Sequence, residues 1–369
     1  MENLIPPRWF EPLSVWVLLI VTAASLSAMI RGADWLVDAA AGTARRFRVS
    51  KIVIGATVVS LGTTSPEATV SVLAAWSGQP GLALGNAVGS ICAGTGLIFG
   101  LACLLDALPA DRFVLKRQGW VQFGAALLLA SLCYGAFARH GDAAVLSRWA
   151  GGLLLALLVA YVSMSIRWGR QHSRLEAGAA PSKEDAAGEQ GADGPALGTV
   201  VTPDTIASPP MVHLVARGLL GLILVILGSQ ILIRAVTVLA VRWGVPEVVI
   251  AATLVAAGIS LPGFIVGMTS ILKGHGEILI GNVIGSGVLN VLFVTGAAAA
   301  AANLPLVEVG SHAPRIFLHF HLPAMLLIVM LFRIFALSAA HRGRFQRWFG
   351  VPLLAVYVIY VVGQYVLSL

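Results

Sequence analysis

GTTSPEA at 62–68 places Thr63, Thr64, Ser65 and Glu67 around Pro66, within an otherwise apolar stretch. Freed carbonyls and hydroxyls beside a proline, together with one carboxylate, form an oxygen-rich set of the kind that ligates a bare cation. At 258–264 the chain reads GISLPGF, which keeps Gly258, Ser260 and Pro262 but carries Gly263 where the first copy has Glu67. A second matched pair follows each of these. LGNAVGS (84–90) holds Asn86 and Ser90, and IGNVIGS (280–286) holds Asn282 and Ser286, with Asn290 one turn beyond. The chemistry offered is cation coordination by neutral oxygens and a single acid.

A lone carboxylate in apolar sequence needs a setting, and composition supplies one. Of the 369 residues, 58% are hydrophobic and 11% charged, against about 25% charged in soluble domains. That excludes a soluble enzyme, and nothing in the chain reads as a phosphate-binding loop. Apolar runs of the length needed to cross a bilayer recur. Ten spans are expected, at about 13–40, 52–76, 81–105, 116–137, 149–168, 212–241, 247–272, 277–301, 316–336 and 349–368. An ionisable group inside a span is functional by default, because burying it in lipid is costly; Glu67 is such a group. The three cysteines lie in apolar runs without CxxC spacing and read as small core residues. The start MENLIPPRWFEPL lacks a basic region, so no cleaved signal is expected.

Between the fifth and sixth spans, 169–211 is rich in Ala, Gly, Pro, Ser and charge and is expected to be a disordered linker. The lysines and arginines divide unevenly about the ten spans. Seventeen fall on the linker side, among them Arg45, Lys51, Arg217, Lys273 and Arg333, and five on the other, with Arg31 and Arg234 inside spans. The bias puts the linker in the cytoplasm and both termini, including segment 1–12, outside, in a cell (inner) membrane. It also accounts for the net charge of +7 without any nucleic acid.

A shift of 196 residues superposes the chain on itself. Gly32 meets Gly228, Pro66 meets Pro262, and Gly85-Asn86 and Gly89-Ser90 meet Gly281-Asn282 and Gly285-Ser286. Over 55–94 against 251–290, eleven of forty positions are identical, mostly Gly, Pro, Asn and Ser. The halves are then 13–168 and 212–369. Five spans per half, an odd number, make them inverted repeats, the architecture of alternating-access transporters with a site at the midplane. Each half is expected to break its second span at Gly–x–x–x–Pro (Gly62 to Pro66, Gly258 to Pro262) and its third at the Gly-Asn–x–x–Gly-Ser segment. Asn86 and Asn282 either cap or bridge these helices.

These two segments resemble the signature repeats of the sodium/calcium exchanger (cation/Ca2+ exchanger) superfamily, G-T-S-x-P-E followed by G-N-x-x-G-S-N-x-x-N, and the lead-in RGADWLVDAAAGTARRFRVSKIVIGATVV looks like its first span. The resemblance covers nearly the whole chain outside the linker. It implies an all-α polytopic fold of ten transmembrane helices in two inverted five-helix repeats. It also implies an ion site in which Glu67 is the central carboxylate and Thr63, Thr64, Ser90, Ser260, Ser286 and Asn290 supply further oxygens. The chain departs from the pattern at Gly263 for the second glutamate, Ile259 for a threonine, Gly94 for a late amide, and Ile91 and Gly287 for the Asn after Gly-Ser.

Ca2+ takes 6–8 oxygens, usually with more than one carboxylate. One glutamate leaves a buried dication under-neutralised, and a monovalent ion or a proton balances better. The expected function is therefore a cation:cation antiporter that carries Ca2+, Na+ or H+, with divalent specificity reduced at Gly263. The rival is a transport-inactive or sensory scaffold. No cofactor is expected, and partners are inorganic cations and the bilayer. Glu277 and Asp34 are candidates for an access or coupling role, Asp34 pairing with Arg31 or facing the interface. His319 and His321, two apart on a helix, face different directions, which argues against a shared metal.

Overall fold

The computed structural model describes residues 9–47, 51–179, 210–243, 256–307 and 315–368, without side chains for 114, 170, 172–179, 240, 256–260 and 368. Ten helical segments occupy the positions of the ten expected spans. They are α1 (Val15–Phe47), α2 (51–76), α3 (Pro80–Leu105), α4 (Arg112–His140), α5 (Arg148–Ala179), α6 (Met211–Arg242), α7 (Ala256–Leu272), α8 (Gly276–Ala301), α9 (Phe317–Arg342) and α10 (Gly350–Ser368). Helix α5 runs ten residues past the expected start of the linker, and 180–209 lies outside the described residues, as does the start of the seventh span. Exposed tryptophans stand at helix ends (Trp16, Trp76, Trp149, Trp243, Trp348), where an amphipathic ring meets the headgroups. The fold is that of an all-α polytopic membrane protein.

The repeat is visible in the backbone. Helices α2 and α7 both end in a left-handed glycine, Gly78 at φ 71° and Gly274 at φ 69°, 196 residues apart. Each is closed by the same pair of bonds: Gly78 N to Ala75 O and Gln79 N to Ala74 O, and Gly274 N to Ile271 O and His275 N to Ser270 O. This glycine-ended motif satisfies carbonyls that a helix end would otherwise strand. Short backbone pairings link the halves reciprocally. Pro305, after α8, pairs with Val145 ahead of α5, and Pro109, after α3, pairs with Arg344 ahead of α10.

Small residues set how the helices approach. A Cβ on Gly32 (α1) would lie 2.6 Å from the Gly221 carbonyl, and a Cβ on Gly228 (α6) would lie 3.0 Å from the Ser25 carbonyl. Residues 32 and 228 are repeat mates, as are 25 and 221, so one close crossing is used twice by a two-fold exchange. Van der Waals contact between backbones is the main force available between helices in lipid. Helices α1 and α6 form a peripheral pair that is mostly exposed, whereas α8 and α3 are central and mostly buried. Gly281 and Gly285 of α8 lie against the backbone of α2 at Ile52 and Ala56.

Three expectations change. Helix α2 is not broken at Pro66, because Ser60–Trp76 is continuous helix and the irregularity is a π-helical turn at Gly55–Val59. Hydroxyls bond back to carbonyls along this segment, Thr63 Oγ1 to Val59 O and Ser65 Oγ to Leu61 O. In α7, Pro262 likewise lies inside the helix Ala256–Leu272. The third helices carry their irregularity just after Gly-Ser, as π-helical turns at Ala93–Ile98 and Asn290–Thr295. Arg333, counted above with the loop cations, is instead buried in α9.

Candidate ion site

The site is built where α2, α3 and α8 converge, with α7 alongside. Ala68, next to Glu67, packs with Ala87 of α3 and Val294 of α8 in one buried cluster. Thr63 Oγ1 also lies 3.3 Å from Asn282 Oδ1, a polar contact between the two halves. Asn86 Nδ2 donates to the Glu67 carbonyl at 3.1 Å and to Ser71 Oγ at 2.9 Å, which ties α3 to α2. Both asparagines are therefore bridges. A Cβ at Gly94 would lie 3.7 Å from Ser286 Oγ, so the late segment of α3 faces that of α8.

Glu67 is only 7% exposed, and the Ser90 hydroxyl lies beside its carboxylate. Its second oxygen, Oε2, is buried with no partner. On α8, Asn290 Nδ2 donates to the Ser286 carbonyl at 3.0 Å, and Asn290 Oδ1 is likewise buried and unpartnered. A buried acceptor without a donor costs about 1–3 kcal/mol, more when it is charged, and such groups in a native fold call for an occupant such as an ion. Two bare acceptors beside hydroxyls make a set that a cation would satisfy and a further hydrogen-bond acceptor would not.

The remaining residues divide. Thr64 is buried on the same helix; Ser286 donates to the Val283 carbonyl at 3.2 Å. Gly62 packs on Leu222 of α6. Gly258 and Ser260 have no described side-chain surroundings. Gly263 is half-buried, and a Cβ there would meet only Ile98 Cδ1 at 3.9 Å. A Cβ at this position thus meets no closer described neighbour. Glu277 and Asp34 do not join the site. Glu277 pairs with Lys51 at 3.3 Å, and Asp34 pairs with Lys273 at 3.4 Å, not with Arg31. His321 Nδ1 contacts the Tyr360 hydroxyl at 2.8 Å while His319 is exposed against Phe137, so the two histidines do diverge.

Sequence reasoning missed a group of buried polar residues on α4 and α9. Gln118 and Gln122 are buried one turn apart on α4, and Arg333 sends NH1 to the Leu115 carbonyl at 2.7 Å with its guanidinium over Trp120. Two carboxamides at i and i+4 inside a span, and an arginine flanked by FRIF, were the available signals.

Each half matches a known family separately. The family described as sodium/calcium exchanger protein matches residues 17–167 and again 213–366. The sodium/calcium exchanger MaX1 of Methanosarcina acetivorans is 27% identical over 357 residues, 94% of this chain and 98% of that one. The inner membrane protein YrbG of Escherichia coli is 32% identical over 281 residues, 76% and 77% of the two chains. A solved structure of the sodium-calcium exchanger NCX_Mj superposes with a TM-score of 0.72 at 25% identity, covering 94% of this chain and 97% of that one. With both halves matched and the ten helices in the expected order, this chain belongs to the sodium/calcium exchanger protein family.

Proposed function

We propose that this protein is a secondary-active cation:cation antiporter. Glu67 is the central carboxylate, and Thr63, Thr64, Ser90, Ser260, Ser286 and Asn290 contribute to the oxygen shell. The observation that carries this reading is the pair of buried, unpartnered acceptors, Glu67 Oε2 and Asn290 Oδ1, at the junction of the two halves. A carried cation and a driving Na+ or H+ compete for that one carboxylate, so exchange needs no ATP. Helices α1 and α6, joined at Gly32–Gly221 and Ser25–Gly228, slide as a pair against the core to expose the site to one side and then the other. The linker lies in the cytoplasm and both termini outside, in the inner membrane. With Gly263 in place of a second acid, a dication is bound less well than in a two-carboxylate site.

Reconstitution into proteoliposomes tests this reading. An imposed Na+ or H+ gradient is expected to drive Ca2+ or another cation across, and Glu67→Gln is expected to abolish the flux. If neither gradient moves any cation, the transport-inactive scaffold is the correct reading.

A further inference from the structure

Gln122 lies on α4, a helix that contributes none of the oxygens assigned above. Its side chain is 1% exposed, and its carbonyl oxygen Oε1 has no hydrogen-bond partner. Its Nε2 reaches Thr95 Oγ1 at 3.5 Å, the outer limit of a hydrogen bond. The same amide lies against Gly287, where an added Cβ would come within 2.5 Å of Nε2 and 3.1 Å of the amide carbon. The tip of Gln122 is therefore held between residue 95 of α3 and residue 287 of α8.

Those two residues are the chain neighbours of Gly94 and Ser286, which face each other across the site at 3.7 Å from the added Cβ. Positions 94 and 287 are also where this chain carries glycine in place of an expected amide. A side chain at 287 would expel Gln122, and an amide at 94 would fill the space on the Ser286 side. Gly94, Gly287 and Gln122 thus read as one set, two amides removed and one brought in from a different helix. The chemistry agrees. Glu67 Oε2, Asn290 Oδ1 and Gln122 Oε1 are acceptors without a donor, a set suited to a cation, whereas the unpartnered donors on this side, Gln118 Nε2 and the Arg333 guanidinium, belong to the turn of α4 before Gln122 and to α9.

We propose that Gln122 is a further ligand of the carried cation, its carbonyl oxygen taking the place of the amide that position 94 lacks. This rests on the antiporter reading. The competing role is a strut in which Gln122 only braces Thr95, and the two roles have opposite consequences for the cation-free protein. Replacing a buried carboxamide that lacks a partner with a hydrocarbon of similar size removes a desolvation cost, whereas removing a strut loosens the fold.

The full chain, purified in detergent, is titrated with CaCl2 or NaCl while its thermal unfolding is followed. For Gln122→Leu, the cation-free Tm is expected to equal or exceed wild type, with the apparent affinity weakened roughly tenfold, as for loss of one contact to a charged partner. Gln122→Glu is expected to raise the preference for Ca2+ over Na+ by at least about tenfold, and Thr95→Val to leave affinity unchanged. Adding Gly94→Asn to Gln122→Leu is expected to restore affinity in part. Wild-type affinity in Gln122→Leu, or an equal loss in Thr95→Val, overturns this proposal and leaves the antiporter standing. No saturable stabilisation of wild type by either ion overturns both.

Discussion

Lys273, at the turn between α7 and α8, is the residue through which the core grips the peripheral pair. Its Nζ lies 2.7 Å from Asp38 Oδ1, 3.4 Å from Asp34 Oδ1 and 3.1 Å from the Asp34 carbonyl, all on α1. Asp38 Oδ2 in turn meets Arg217 of α6 at 3.2 Å. The repeat mates of Lys273, Asp34 and Asp38 are Ser77, Gln230 and Arg234, so the inverted half cannot form the same acid–lysine latch. On the proposed sliding of α1 and α6 against the core, breaking this latch is the expected cost of leaving the conformation described here. The side chains are 27%, 31% and 37% exposed, which places the two ion pairs among partly solvated ones. At roughly 0.2–1 kcal/mol per pair, plus the bond to the Asp34 carbonyl, Lys273→Ala should cost about 1–2 kcal/mol of preference. That is a shift of about 5- to 30-fold in the ratio of the two conformations. Spin labels at Phe47→Cys on α1 and Leu272→Cys on α7, both at exposed positions, report the distance, since the native cysteines are buried. Lys273→Ala is expected to populate a second distance, and Lys51→Ala is not, because Lys51–Glu277 joins two core helices, α2 and α8. An unchanged distribution in Lys273→Ala, or the same change in Lys51→Ala, refutes the latch.

Gly263→Glu should be accommodated, because its Cβ meets only Ile98 Cδ1 at 3.9 Å, and should create or strengthen Ca2+ binding in a titration of thermal stability. Gly281→Ala should destabilise by about 1–3 kcal/mol or prevent folding, because the methyl collides with the Ile52 carbonyl, while Gly124→Ala, with nothing within 4 Å, should be near neutral; denaturation in detergent separates the two. His275, whose Nδ1 lies 3.3 Å from Lys51 Nζ, is held below the ordinary imidazole pKa by burial first, then by Lys51 and Arg45, with the Gly274 backbone bond and Glu277 opposing. A depressed imidazole makes the unfolded chain the better proton binder, so its contribution is complete above about pH 6.5 and is lost as pH falls toward the folded value. The Tm should accordingly drop on acidification through that window, and His275→Gln should flatten the drop.

Much of the fold could be read from residues because the informative ones are rare in lipid-facing sequence. The paired Gly-Asn and Gly-Ser segments announced the repeat. The converging residues of the candidate site, Thr63, Glu67, Ser90 and Asn290, stood out as polar groups in apolar runs. What could not be read was which faces meet. Helix α8 is buried nearly all round, so its periodicity does not say that Asn282 meets Thr63 while Gly287 meets Gln122. Pro66 read as a break because its missing donor is evident in sequence, whereas the packing that keeps Ser60–Trp76 helical through it is not. Arg333 read as a loop cation because hydropathy fixes helix ends only to within a turn or so, and a buried arginine differs from an interfacial one by that distance. The partner of Asp34 is 239 residues away, beyond anything local pattern could supply.

The central claim is that a single buried carboxylate, Glu67, holds the cation. Equilibrium binding of radiolabelled Na+ and Ca2+ to the purified chain tests it most directly. Wild type is expected to bind saturably, with each ion displacing the other, and Glu67→Gln to lose that binding while remaining folded. Saturable binding that survives intact in Glu67→Gln would contradict the account.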